Sequence, residues 1–251
     1  MNHDIGCMTM LEFAEAMARK AWLLLPIGST EEHGPHLPLA SDMIQAEYVC
    51  RAVAREVNGV VAPGVAYGVC RSTRNFPGTI SLSSGTLEGL VREILAGYVE
   101  KGARRIGVIS GHAGGAHMEA LRQAALPLVE RDEGLTILVI GPYDISLPSL
   151  AEAGPPAEDG HAASIETSVM LAIDPRLVRS DRIPDAARPC FPRFQILSHP
   201  ERLFPSGVLG DASKASPALG DGVLQHVIGE IVRILMDAAS AIPVPREENH
   251  G

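Results

Sequence analysis

Several chemistries have no foothold in this 251-residue sequence. No stretch carries G-x-G-x-x-G, a Walker lysine or G-x-S-x-G, so nucleotide binding through a glycine loop and a serine-hydrolase elbow lack their usual marks. Cys7, Cys50, Cys70 and Cys190 form no C-x-x-C pair. That spacing offers neither a zinc finger nor a disulfide framework, and a reducing cytoplasm is the expected compartment. No basic run occurs, and 21 basic against 30 acidic residues give a formal charge of −9, which opposes binding along a phosphate backbone; no nucleic acid is expected as a partner. No apolar run approaches membrane-spanning length, and the opening MNHDIGCM lacks a basic n-region and a long apolar h-region. Neither a membrane span nor export is expected. There is no internal repeat.

With 46% hydrophobic and 20% charged residues, the composition is globular, and the chain is long enough to bury a large core. We read one domain over 1–251, with an alternating β/α order. Thr9 and Glu12 have capping-box spacing ahead of a helical apolar stripe at Leu11, Phe13, Ala14, Met17 and Ala18. The apolar run from Leu23 predicts a central strand, and Val60 to Ala62 a short one. Arg105 to Ser110 and Leu135 to Ile140 predict two more. Helices are predicted from about Ser41 to Val57, from Thr86 to a stop at Gly102, around Met118 to Pro127, across Ile165 to Leu171, and from Val223 to Met236. The 183–218 stretch reads as a wrapping arm and 243–251 as a frayed tail. In the 67–82 segment a Phe-Pro-Gly turn leads into a β-branched strand. Its Arg71 and Arg74 could close over an anionic ligand, or Phe76 could plug the core while the arginines face water.

The chemistry concentrates in LLLPIGSTEEHGPHLPLASD, 23–42. An extended chain alternates its side chains, so Glu31 and His33 project to one side and Glu32 to the other. His36 and Asp42 follow across a loop stiffened by Pro35 and Pro38. Carboxylate oxygen with imidazole nitrogen suits zinc, manganese or iron, and the absence of a thiol nearby in sequence argues against a closed structural zinc site. The plainer reading is a set of polar residues at the end of a buried strand. Farther on, the 105–110 strand runs into GHAGG and a helix, which puts His112 at the strand's carboxyl edge. Ligands bind at that edge in open parallel sheets, so Glu31, His33 and His112 could converge there. Gly111, Gly114 and Gly115 leave amides approachable for an anion or a developing oxyanion. Tyr143 and Asp144 follow the next strand, and His161 and Glu166 open a later helix.

Taken in order, PIGSTEEHGPHLPLASD, FPGTISL, SGHAGG and HAASIETSVML resemble the creatininase family of metal-dependent amidohydrolases. The resemblance implies a three-layer α/β/α fold with a largely parallel sheet, often assembled as a homohexamer. It places Glu31, His33, Asp42 and His112 at metal-ligand positions, with Asp42 bridging two divalent ions. By the same resemblance His161 is the acid/base histidine and Glu166 supports the ligands. The chain also departs from the family. A further metal-binding glutamate in the family's namesake falls at Gly114, the asparagine of a G-H-G-G-N loop falls at Gly115, and Ser164 stands where many relatives carry a ligand-capable residue. His36 or His117 could complete a second ion, or the site could hold one. Paired tryptophans that shape a creatinine pocket have no counterpart beside Trp22, so creatinine is not the expected substrate. The implied activity is hydrolysis of a non-peptide C–N bond, in a cyclic amide or formamide, of a small polar substrate contacted by Gly114, Gly115, Arg74 and Tyr143. The rival is a binding protein, or a hydrolase of another ring carbonyl, with an incomplete second metal site.

Overall fold

The computed structural model describes residues 3–141, 143, 145, 159–187 and 189–240. Asp144, the 153–157 stretch and the 243–251 tail lie outside the described residues. Four strands, β1 (Leu23–Ile27), β2 (Val60–Val61), β3 (Arg105–Ser110) and β4 (Thr136–Ile140), form one parallel sheet in the order β2-β1-β3-β4. All five residues of β1 are buried, as expected of a strand covered on both faces. Pro26 is tolerated because its carbonyl, and with it the side that lacks an N–H, faces beyond the end of β2, where Val65 donates to it.

Alternation along the strands builds the layers. Leu23, Leu25, Ile27, Ile106 and Val108 pack against α1 (Met10–Ala18), α3 (Ser84–Glu100) and α4 (Gly115–Val129). Leu24 and Ile109 point the other way, toward α2 (Ser41–Glu56), α5 (Ser164–Ile173) and α6 (Pro217–Ser240). This is the three-layer α/β/α arrangement. Each fully buried leucine or isoleucine contributes about 1.5–3 kcal/mol, so the sheet and its two covers stabilise one another. Thr9 caps α1 with the predicted reciprocal box: its hydroxyl accepts the Glu12 amide, and the Glu12 carboxylate accepts the Thr9 amide.

The predicted strand after the Phe-Pro-Gly turn does not form. Ile80 bridges Thr30 and Ser81 bridges Gly68, two isolated contacts with different partners. No consecutive residues meet one neighbouring strand, so no ladder propagates. Phe76 packs its ring 5.5 Å from Phe204, which is fully buried in the 183–218 arm. Phe76 is thus a half-buried ring packed under the arm, and it lies outside the main core clusters. Among the described residues no helix is long and apolar enough to cross a membrane.

Register sets up the site. Leu23 lies opposite Ile106 and Ile27 opposite Ser110, so β1 and β3 end flush and release their following loops side by side. Glycine at each exit lets the first turn of α2 press onto that edge. A Cβ on Gly28 would lie 2.5 Å from the Met43 amide nitrogen, and one on Gly111 1.9 Å from the Asp42 carbonyl oxygen. Gly111→Ala should cost about 1–3 kcal/mol by overpacking. Gly89→Ala, where a Cβ meets nothing within 4 Å, should be neutral or stabilising by about 0.5–1 kcal/mol. Urea unfolding of the two variants checks this; equal midpoints would show that the close approach carries no weight.

Candidate metal centre

Three chain segments deliver the donors. The loop after β1 supplies Ser29, Glu31 and His33, the first turn of α2 supplies Asp42, and the turn after β3 supplies His112. A carboxylate at the start of a helix is favoured by the helix dipole. Glu31, His33 and Asp42 are at most 3% exposed, and His112 is 8% exposed. His33 Nε2 donates to Asp42 Oδ1 at 3.0 Å, and its Nδ1 donates to the Glu31 carbonyl at 3.1 Å. His112 Nδ1 lies 2.8 Å from Glu31 Oε2 and 3.2 Å from Asp42 Oδ2, while its Nε2 donates to the Val69 carbonyl at 3.2 Å. Asp42 thus meets one imidazole at each oxygen. The Ser29 hydroxyl, 2.5 Å from Asp42 Oδ2 and 3.1 Å from Glu31 Oε2, fastens the carboxylates from below, and the Thr73 hydroxyl donates to Glu31 Oε1.

The electrostatics follow from burial of two carboxylates among imidazoles. Burial alone would push Glu31 up, but the hydrogen bond and charge of His112 hold it down to about 2. Burial favours neutral His33, yet the Asp42 carboxylate overrides it and raises that ring to about 10. His112 is raised and Asp42 lowered for the same reasons. Burial raises Glu166 despite His33 and His161 nearby.

Beside this core lies a cavity of about 250 Å³, lined among others by Glu31, Asp42, His112, Gly114, Tyr143, Asp159, His161 and Glu166. No lysine or arginine lines it among the described residues. His161 Nε2 donates to the Glu32 carbonyl at 2.8 Å and lies 3.2 Å from Glu32 Oε1. Glu166 Oε2 accepts the Ala162 amide at 2.6 Å and sits 3.6 Å from His33 Nε2. Donor atoms of His33, His161 and Glu166 fall within 4.8 Å of one another, as do those of Glu31, Cys70 and His112. Asp42 stands between the two groups. Carboxylate and imidazole donors, buried and without a competing cation, fit a divalent ion such as zinc, manganese or iron.

Some expectations are corrected. Arg74 does not line the cavity; its guanidinium donates to the Ser198 carbonyl at 3.2 Å, because the arm passes beside this loop. Gly115 is the exposed first residue of α4 and also lies off the cavity wall, one step past Gly114. The thiol absent from the local sequence is present in space, since Cys70 comes in from another loop. Neither spare histidine joins either group of donors. His36 Nε2 donates to Thr167 Oγ1 at 2.9 Å, and burial lowers the ring to about 4. His117 Nε2 bonds Ser110 Oγ at 3.1 Å and Nδ1 accepts the Val69 amide at 3.3 Å, so this neutral ring braces the His112 turn. Ser164 faces Asp159, whose carboxylate accepts the Ser164 and Ile165 amides at 2.8 Å. Sequence reasoning missed Asp159 and Glu32. Asp159 precedes the α5 turn as a capping residue does, and Glu32 was set aside only because alternation turned it from Glu31.

An open parallel sheet thus gathers donors able to hold a divalent ion at its carboxyl edge. A family model described as creatinine amidohydrolase matches residues 7–235. Creatinine amidohydrolase of Pseudomonas putida is 31% identical over 238 residues, covering 88% of this chain and 91% of the relative. A mycofactocin precursor peptide peptidase of Mycobacterium ulcerans is 34% identical over 224 residues, covering 84% and 82%. A solved structure described as creatininase Mn superposes with a TM-score of 0.88 at 27% identity, covering 96% of this chain and 100% of that one. The chain belongs to the creatininase family of metal-dependent amidohydrolases.

In metal-free protein the raised His33 contributes stability that is complete below 6.5 and lost as pH rises toward about 10. The lowered Glu31 contributes stability that is complete above 4.5 and lost as pH falls toward about 2. His36 and His117, lowered to about 4 and about 3, take stability away as pH falls below 6.5, so metal-free stability should peak near pH 6.5, whereas zinc affinity should rise with pH as His33 and His112 give up protons. Thermal unfolding and zinc titration across pH 5 to 9, roughly the range those groups span, check both; pH-independent zinc binding would count against the imidazole ligands.

Proposed function

We propose that the chain hydrolyses the C–N bond of a cyclic amide or formamide in a small polar substrate, with Glu31, His33, Asp42 and His112 holding one or two divalent ions. The observation that carries this reading is the buried Asp42 carboxylate meeting one imidazole at each oxygen beside a cavity of about 250 Å³. A bound ion supplies Lewis acidity, lowering the pKa of water toward about 7 and polarising a carbonyl. His161 delivers a proton to the departing nitrogen. Its Nε2 is committed to Glu32, so Glu32 fixes the ring and the Nδ1 edge is left for the substrate. Glu166 holds the α5 turn through the Ala162 amide and faces His33. Tyr143, whose hydroxyl donates to Gln45 Oε1 at 2.7 Å, and the backbone at Ala113 and Gly114 form the wall that orients the substrate. Creatinine is not the proposed substrate, because Trp22 is a core residue at 2% exposure and no other tryptophan exists to sandwich a ring.

A second reading, the amide bond of a short peptide, is favoured by the relative named as a precursor peptide peptidase. A panel of cyclic amides, formamides and short peptides assayed with zinc, manganese and iron separates them. Asp42→Asn should remove both metal and turnover, and His161→Ala should lower turnover about 10²–10⁴-fold while metal content stays. Stoichiometric metal without turnover on any amide would favour a binding protein, and no metal uptake would remove both readings.

The same proposal includes a cytoplasmic homo-oligomer, with a hexamer as its expected form. Met10, Leu11, Phe194 and Ile196 lie largely exposed and are the kind of apolar side chains an interface covers. Sedimentation at the 26.6 kDa mass of one chain would overturn it.

A further inference from the structure

We propose that Cys70 is a direct ligand of the ion held by Glu31 and His112, giving this chain a thiolate donor that favours zinc over manganese. The inference rests on the metal-dependent reading above and concerns only which atoms hold the ion.

Cys70 is 1% exposed and unpaired, yet it belongs to none of the three apolar clusters, whereas Cys50 sits inside one. Its thiol faces polar groups instead, within 4.8 Å of donor atoms of Glu31 and His112. Three other contacts hold this loop against the site. The Val69 carbonyl accepts from His112 Nε2, the Cys70 amide donates to Ser81 Oγ at 2.9 Å, and the Thr73 hydroxyl donates to Glu31. The sulfur is therefore fixed by its neighbours on both sides along the chain.

Size permits one ion among these atoms. With zinc bonds of about 2.3 Å to sulfur and about 2.0–2.2 Å to nitrogen and oxygen, tetrahedral donors stand roughly 3.3–3.8 Å apart. From their 4.8 Å limit the three donors need to close by no more than about 1.0–1.5 Å. A ligand is also lacking elsewhere, since Gly114 occupies the position where the family's namesake has a glutamate. A Cβ at Gly114 would come within 2.6 Å of His112 Nε2, so the ring as placed excludes a side chain there. Cys70 approaches from another loop and meets no such obstacle. Binding exchanges the S–H bond for a metal–sulfur bond, and the proton leaves to solvent. Thiolate is the soft donor that suits zinc, while manganese prefers oxygen.

Zinc-edge X-ray absorption on the full chain loaded with one equivalent of zinc decides the matter. The expected result is a sulfur shell at about 2.3 Å that is lost in Cys70→Ser, together with a fall of about tenfold or more in the zinc-to-manganese affinity ratio. Bound zinc with nitrogen and oxygen neighbours alone would overturn the Cys70 assignment and leave the metal reading standing. A sulfur shell that persists in Cys70→Ser would trace to the exposed Cys7 or Cys190 and overturn it too. No zinc uptake would remove both this proposal and the metal reading. Should Cys70→Ser fail to fold, a Cys7→Ser/Cys190→Ser variant decides: a sulfur shell that survives there traces to Cys70, and one that disappears overturns the assignment.

Discussion

The Asp42 carboxylate, buried and held by His33 at one oxygen and His112 at the other, is the constraint on which the rest of the structure depends. A charge so placed is costly unless paired and hydrogen-bonded. Removing one partner of a buried pair typically costs 3–5 kcal/mol. The segments carrying these residues are thereby locked together, although they lie far apart in the chain. Ser29 and Thr73 tie in the neighbouring Glu31, so the donor set is one connected network rather than four separate side chains.

The fold meets that constraint with simple means. Parallel pairing of β1 with β3 in flush register brings two loops to one edge, and small residues at both exits let α2 arrive with its first turn over the gap. The helix dipole then favours the carboxylate at that terminus. α5 brings His161 and Glu166 from the opposite side, its start tied down by Asp159. Burial on both faces of the sheet keeps these edges rigid, which a site requiring sub-ångström positioning needs.

Much of this was legible in the sequence, because local rules and the fold agree. The Thr9–Glu12 spacing, the apolar run at 23–27 and the strand–glycine–helix order around His112 each report an element directly. Glu31, His33, Asp42 and His112 could be grouped because they sit at strand and helix ends that a parallel sheet gathers on one side. What was not legible depends on loops crossing in space. Cys70 lies 39 positions after Glu31 and 42 before His112, and no period relates it to either. Arg74 was read as a substrate cation because the arm that captures it comes more than a hundred residues later. His117 was a candidate second-ion ligand by sequence, but it packs edge-on against His112, centroids 4.8 Å apart, across a turn that precedes the helix and that helical periodicity does not describe. The bridges at Ile80 and Ser81 show the same limit: β-branched residues promise a strand only if a continuous partner exists.

Charge balance joins the observations about ligands. Glu31 and Asp42 carry two negative charges, which protonated His33 and His112 match in the metal-free site. One divalent ion bound to neutral imidazoles matches them equally, so two protons can exchange for one ion without leaving the buried site charged. A second ion brings two further positive charges that this core does not offset. The additional anions within reach are the Glu166 carboxylate beside His33 on one side and a Cys70 thiolate beside His112 on the other; Glu32 is already matched to His161. With glycine where the family's namesake has a glutamate ligand, a second ion would draw its balancing charge from those two groups, from the Asp159 carboxylate on the same cavity wall, or from hydroxide formed at the ion itself. Ion count and the protonation of the groups around the site are in that sense coupled through the buried charge.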